Sequence, residues 1–558
     1  MKNDPVTLRI ISNSLLYASE EMGLALRNSA YSPNIKERMD HSAAVFDAKG
    51  RLLGQAEHIP VHLGSLPWGL KNLLEYCARK GLDFERDSMV VSNDPYITGT
   101  HLNDVTLAAP VYHGRSLVAF VVNKAHHADV GGLFPGSISM EARTLQEEGY
   151  VLEPSVLWRG GGFDEHVVEE FASASRTPAE RRGDLKAQVA ANVAGTRRVK
   201  NIIDKYGLSC FEEAATRAFS HSEQLTRQRL ARFRQGTFRA ADYLEGPHGE
   251  DLILSVSVKV RSSRVEIDYG GTSPQVDYPL NAVFGVTISG AYFVLRCLLG
   301  DDIAANHGAF SDVRVKAPPG TILSPTYPHP VGGGNVETSQ RNADVIFRAL
   351  APAVKGIVPA APGGSMNNVM IGGGRGGGTW AFYETLGVGL GGGRTRDGID
   401  GIQANMTNTM NTPVEEMERS LPVMITKYEF RPDSSGAGKH RGGSGLVRGY
   451  EALSGGTIFT IVADRARHPP WGLEGGRTGR GTEVLLTRRG RTQAVEAKST
   501  VLLNAGDVVE VRTAGGGGFG RPRERSARAL EDDLRNGLIT AKFVKEEYGG
   551  TNWRKRPA

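Results

Sequence analysis

His101 and Asp104 sit three residues apart in NDPYITGTHLNDV. In a turn, or in one turn of helix, that spacing points both side chains the same way, so the pair can share one cation. His126 ends the apolar run LVAFVVNKAH, and the stretch 104–129 reads as two strands joined at Tyr112-His113-Gly114. Antiparallel pairing returns the end of the second strand to the start of the first, which brings His126 back to Asp104 and His101. Asp40, in KERMDHSA just ahead of a first hairpin, can close the sphere. Imidazole and carboxylate donors suit Zn²⁺, Mn²⁺ or Fe²⁺, with one position left for water. His127 and Asp129 follow as further ligands, or as partners that orient a ligating imidazole. Glu141, Glu147 and Glu148, in SMEARTLQEEGY, offer a general base or a second ligand, against the plainer reading of helix-surface charge. His41, His58 and His62 add to the histidine density, and each alone is better explained as structural. The alternative for the whole set is a group of satisfied core or surface histidines.

These side chains need rigid elements to hold them. Residues 7–30 carry the amphipathic pattern Ile10, Leu15, Leu16, Met22, Leu26 and predict a helix. AAVFDAKGRLLGQ (43–55) predicts a β-hairpin, 64–81 a helix capped by Gly81, and 88–96 a strand running into a turn. Residues 164–234 are helix-rich, with a long amphipathic helix over 183–205. Strands follow over 236–274, then a buried helix over 281–299. Later strands are expected at 454–463, 482–488 and 508–513, with helix again in the tail. The fold class this implies is mixed α+β and multidomain. Its regions are an N-terminal α+β metal-site region (1–235), a central α/β region with Gly-rich loops (236–430), and a mostly β C-terminal region with a terminal helix (431–558).

Glycine supplies 70 of 558 residues, about one in eight, against a usual share of about 7%. It clusters in IGGGRGGGTW (371–380), LGVGLGGGRTRDG, SSGAGKHRGGSG and TAGGGGFG (513–520). None of these has the strand–GxGxxG–helix context of a nucleotide fold. Tight loops packed against strands are the expected form, with a substrate-covering loop or a subunit contact as the functional version. TAGGGGFG reads as a strand leaving into a flexible turn. Thr412 reads as the N-cap of a helix starting at Pro413, with Glu415 completing a capping box.

Composition narrows the function. Three cysteines exclude a disulfide scaffold, an iron–sulfur cluster and a cysteine-built zinc site, and fit a reducing cytoplasm. A net charge of +5 from 66 basic and 61 acidic residues gives little reason to expect nucleic acid. No signal peptide and no stretch of membrane-spanning length is seen. The basic tail NWRKRPA is expected to be no more than a tail.

Taken together, KERMDHSAAVFDAKGRL, HIPVHLGSLP, NDPYITGTHLNDV, NKAHHADVGGLFPGS, QEEGY, DYGGTSPQVDYPLN, NTMNTPVEEMERSLPV and RPDSSGAGKHRGGSGLVR resemble the hydantoinase B family over nearly the whole chain. That family includes N-methylhydantoinase B subunits, 5-oxoprolinase C-terminal halves, the caprolactamase small subunit and ketone carboxylase α subunits. The resemblance implies one divalent metal, zinc or manganese, held by Asp40, His101, Asp104 and His126. It also implies a hydantoinase A-type partner that uses ATP to phosphorylate the substrate carbonyl, and a hetero-oligomer such as α2β2. No P-loop motif occurs here, consistent with an ATP site on the partner. The activity implied is hydrolysis of a cyclic amide (hydantoin, 5-oxoproline or lactam), with metal-activated water as the attacker and His127, Asp129 or Glu148 as proton acceptor. Ketone carboxylation is the alternative, and a scaffold for the A-type ATPase is the non-enzymatic one. Chain length favours the hydrolase. Where the family usually has an aromatic residue after the first aspartate, this chain has His41.

Overall fold

The structure, a computed structural model, describes residues 4–56, 58–375 and 378–549. The basic tail 552–558 and two glycines of the IGGGRGGG run lie outside them. The architecture is mixed α+β. Two compact units share the chain: residues 1–238, 257–270 and 274–335 form the first, and 239–256, 271–273 and 336–558 the second. The expected boundaries at 235 and 430 differ from this division, because 257–270 and 274–335 join the first unit and the second begins at 239.

The first unit is built on a seven-stranded antiparallel sheet. Its strands are β1 (His41–Asp47), β2 (Leu52–Ala56), β3 (Ser88–Ser92), β4 (Asp104–His113), β5 (Ser116–His126), β6 (Ser155–Arg159) and β7 (Gly162–Phe163), in the order β2-β1-β5-β4-β3-β6-β7. Side chains alternate between faces along a strand, and here both faces are covered. Even-numbered residues Ala44, Phe46, Ala108, Phe120 and Val122 pack with Leu66, Leu70, Leu73 and Cys77 of the helix His62–Lys80. Odd-numbered Ala125 packs with Leu26 of the helix Pro5–Ser29 and with Ala187 and Ala191 of the helix Pro178–Tyr206. Double coverage explains why LVAFVV is continuously apolar rather than alternating. The helix His62–Lys80 ends as expected: Gly81 takes φ 67°, and its N–H bonds back to the Cys77 carbonyl.

In the second unit two antiparallel sheets share one core. One runs in the order Gly378–Thr385, Asn368–Arg375, Thr457–Val462, Lys498–Leu503. The other runs Val423–Phe430, Leu446–Ala452, Val508–Arg512, Glu483–Arg488, Arg491–Val495. Val369, Ile371, Phe382 and Phe459 of the first meet Tyr450, Val484, Leu486, Val509 and Val511 of the second. The described part of IGGGRGGGTW is therefore strand: Ile371, Gly372, Gly373 and Gly374 pair with Phe382, Ala381, Trp380 and Thr379.

The remaining glycine runs correct the expectation of loops on strands. They are extended segments that bond to one another. The N–H of Gly515 donates to Arg480, Gly516 to Gly443, Gly517 to Ala361 and Gly518 to Arg477. The direction of bonding returns to the same neighbouring segment after three residues, the period of an extended threefold helix. Side chains have no room there. A Cβ on Gly516 would fall on the Leu390 carbonyl, and one on Gly389 on the Gly443 carbonyl. TAGGGGFG is thus a buried core segment, not a flexible turn. The Thr412 cap is corrected too. The helix is Val414–Ser420, Pro413 before it is extended at ψ 139°, and Thr412 Oγ1 makes no hydrogen bond among the described residues. Thr412 stands one residue too far from the first turn to cap it.

Candidate metal centre

The site forms where three adjacent strands bring one row of side chains together on the even face. Register pairs Asp104 on β4 with His126 on β5. The His126 N–H donates to the Asp40 carbonyl, 3.0 Å away, which places Asp40 on the other side of the same row. His101 arrives from the connection before β4, whose turn the Asp104 N–H closes on the His101 carbonyl at 3.0 Å. The Lys124 ammonium pins that connection from β5, donating to the Thr98 carbonyl at 2.8 Å and to Thr100 Oγ1 at 2.9 Å.

The result is a compact buried donor set. Ligand atoms of His101, Asp104 and His126 all lie within 4.8 Å of one another. His101 Nδ1 stands 3.0 Å from Asp104 Oδ2, and His126 Nδ1 stands 3.5 Å from Asp104 Oδ1 and 3.8 Å from Asp40 Oδ2. Burial alone would raise the Asp104 carboxyl. The imidazoles of His101 and His62 more than reverse this and hold it well below the usual carboxylate range. His126 is lowered as well: burial pushes it down, against the opposing pull of Asp40 and Asp104. An ionised Asp104 carboxylate beside a neutral His126 imidazole is the state a divalent cation requires of such ligands. The fit is supported by a further observation, for the buried Nε2 of His101 has no hydrogen-bond partner among the described residues, an expensive condition for a polar atom without a ligand.

The other candidates are placed elsewhere. His127 follows His126 by one residue and so faces the opposite side of the sheet. There its Nε2 lies 3.1 Å from Gln188 Oε1, its ring stands edge-on to Phe171, and burial lowers it to about 4. Asp129 holds a loop, accepting from the N–H groups of Gly131, Gly136 and Arg176 and pairing with the Arg176 guanidinium at 3.1 Å. Glu148 is buried and accepts from the Val331 and Gly332 N–H groups at 2.9 and 2.7 Å. Burial pushes its carboxyl up to about 8, although those two N–H groups work against it. Glu141 is exposed, and Glu147 accepts from the Arg143 N–H. His41 lies on the odd face, its ring 5.1 Å from that of His58, and burial lowers it to about 3.

The structure adds one residue to the site. His62, which reads from sequence as structural, puts Nε2 3.4 Å from Asp104 Oδ2. Its signal is the even-face rule: the helix His62–Lys80 covers the same face that carries Asp104 and His126, and His62 is its first residue.

Residues 4–522 match the family described as Hydantoinase B/oxoprolinase. The chain belongs to that family. A Methanocaldococcus jannaschii protein described as uncharacterized is 44% identical over 98% of this chain and 96% of its own length. A Pseudomonas protein described as the putative B-type subunit of a D-/L-hydantoinase is 30% identical, over 99% and 95%. The 5-oxoprolinase 1 of Arabidopsis thaliana is 35% identical over 93% of this chain, but the match covers only 42% of that larger protein. Among solved structures, the ATP-dependent caprolactamase of Pseudomonas jessenii superposes with a TM-score of 0.91 at 27% identity, over 98% of this chain and 96% of that one. Acetone carboxylase gives 0.90 at 18% identity, over 99% and 81%, which is a likeness of fold.

Proposed function

We propose that this chain is the ring-opening B-type subunit of an ATP-dependent cyclic amidase. Its substrate would be a hydantoin, 5-oxoproline or lactam whose carbonyl oxygen a hydantoinase A-type ATPase has phosphorylated. The observation that carries the reading is the buried row Asp40–His126–Asp104 with His101 beside it. Support comes from the family and from the caprolactamase, a cyclic-amide enzyme by its description, which matches this chain over nearly its whole length.

Asp40, His101, Asp104 and His126 would together hold one divalent cation, zinc or manganese by the chemistry of the donors. Such a cation, when bound, supplies a Lewis acid and lowers the pKa of water from 15.7 toward about 7. The protein's own part is preorganisation. Asp104 stays ionised and keeps a negative charge in the site, while His126 stays neutral with a lone pair to give. Lys124 fixes the connection that presents His101. His127, Asp129 and Glu148 enter this reading as residues that hold the surrounding loops, not as proton acceptors. Among the described residues no helix is long and apolar enough to cross a membrane. The low cysteine count, three in 558 residues, supports a reducing compartment and hence the cytoplasm. The assembly would be a hetero-oligomer such as α2β2.

The test is co-expression with the A-type ATPase, followed by ATP-coupled assays on a panel of lactams and hydantoins, with metal analysis alongside. The expected result is ring opening that His101→Ala abolishes together with bound metal, while the partner still co-purifies. Bicarbonate-dependent consumption of a ketone in place of ring opening would assign the carboxylase reaction. Ring opening that persists in His101→Ala after metal is lost would overturn the site.

A further inference from the structure

His62 lies fully buried between two polar groups, and its hydrogen bonds have a direction. Ser42 Oγ on β1 accepts from the Ile59 N–H at 3.3 Å and lies 2.9 Å from His62 Nδ1. A hydroxyl has a single proton to donate. A carboxylate only accepts, so the imidazole nitrogen that faces Asp104 carries the ring proton, and Nδ1 is left as the acceptor of the Ser42 hydroxyl proton. Nε2 is the atom 3.4 Å from Asp104 Oδ2. The chain therefore runs from the Ile59 N–H through the Ser42 hydroxyl and the His62 ring to one oxygen of Asp104. The other oxygen, Oδ1, is turned toward His126.

We propose that His62 is a positioning residue for the metal centre: with Ser42 fixing its tautomer, it holds Asp104 Oδ2 and sets the carboxylate's orientation between His101 and His126. This rests on the reading of Asp40, His101, Asp104 and His126 as ligands. The physical reason is general, since a ligating carboxylate held by a second hydrogen bond binds its metal in one orientation instead of several. The helix His62–Lys80 is suited to this task, being packed along its length on Ala44, Phe46 and Val122 of the same sheet. Its first residue is thereby fixed against the row of ligands.

The test measures Zn²⁺ affinity of the metal-stripped full chain by competition with a chromophoric chelator, for the parent, His62→Leu, His62→Gln and Ser42→Ala. Gln places an amide N–H near the position of Nε2. His62→Leu is expected to weaken Zn²⁺ binding by about 10- to 100-fold at unchanged stoichiometry. His62→Gln should recover most of that loss, and Ser42→Ala should cost a few-fold. Metal-free melting temperatures read any loss of fold separately, and Ser42→Ala tests the chain of bonds if His62→Leu does not fold. Parent-like affinity in His62→Leu, or in Ser42→Ala where only that variant folds, would overturn the proposal. So would a Co²⁺ absorption spectrum that changes in His62→Leu as it does on losing His101, for that would make His62 a ligand. If the parent binds no Zn²⁺, the metal-centre reading itself fails, a result distinct from either of these.

Discussion

The sheet around the candidate metal centre and the glycine segments of the second unit are both buried and closely packed, but for opposite reasons. In the sheet every position is fixed by what its side chain reaches. Asp104 meets three imidazoles, Lys124 meets the Thr98 carbonyl, and Asn123 meets Gln188 and Asn192. In the glycine segments position is fixed by the lack of a side chain, which lets backbones approach and bond in three directions. A polar row of this kind tolerates changes that keep shape and loses function when the donor atom changes. The glycine packing has no function-bearing atom to lose and no volume to spare.

That contrast can be broken most sharply at Gly516. A methyl group there meets the Leu390 carbonyl, a backbone atom that cannot swing away. Gly516→Ala should cost about 3 kcal/mol or more, seen in urea denaturation as an early transition. Near-parental stability would show that the segments can spread apart. Asp104→Asn should do the reverse. Bound metal should fall from one per chain toward none and ring opening should drop at least about a hundredfold. The melting temperature of the metal-free protein should move by only a few degrees, because shape and burial are kept. Equal loss of fold and metal would mean that the carboxylate is chiefly a structural charge. The smallest effect is expected at Gly195, on the helix Pro178–Tyr206, where a Cβ would meet the Met22 side chain and not backbone. A thioether can shift, so Gly195→Ala should cost no more than about 1 kcal/mol in the same titration. A cost as large as that at Gly516 would remove the distinction between backbone and side-chain neighbours.

The two regions also differ in how far they can be read from sequence. His101, Asp104 and His126 follow from a three-residue spacing and a hairpin, both local, and the register of β4 and β5 follows from a short turn. The helix Pro5–Ser29 forms where its apolar pattern predicts and buries Leu15, Met22 and Leu26, whereas Ile10 and Leu16 of that pattern face outward. His62 escapes because it lies 42 positions from its carboxylate, and nothing near it in sequence reports which face its helix covers. His127 adjoins His126, but successive residues of an extended chain point opposite ways and its ring meets Gln188, while Asp129, beyond the end of the strand, pairs with Arg176. Glycine clustering is plain from composition, but the partners of Gly516 lie on segments far apart in the chain, and an extended threefold segment has no apolar period to betray it. Thr412 fails as a cap because the helix starts one residue beyond the Pro-based rule.

The two-residue connection between His113 and Ser116 has a consequence out of proportion to its size. Strand register has a period of two, so that turn acts as a ruler deciding which member of the His126–His127 pair is presented to Asp104. One amino acid removed from Gly114–Arg115 and absorbed as a slip of the second strand would set His127 opposite Asp104 in place of His126. A length change far from the candidate site would then rewrite its donor set while leaving every donor residue in the gene.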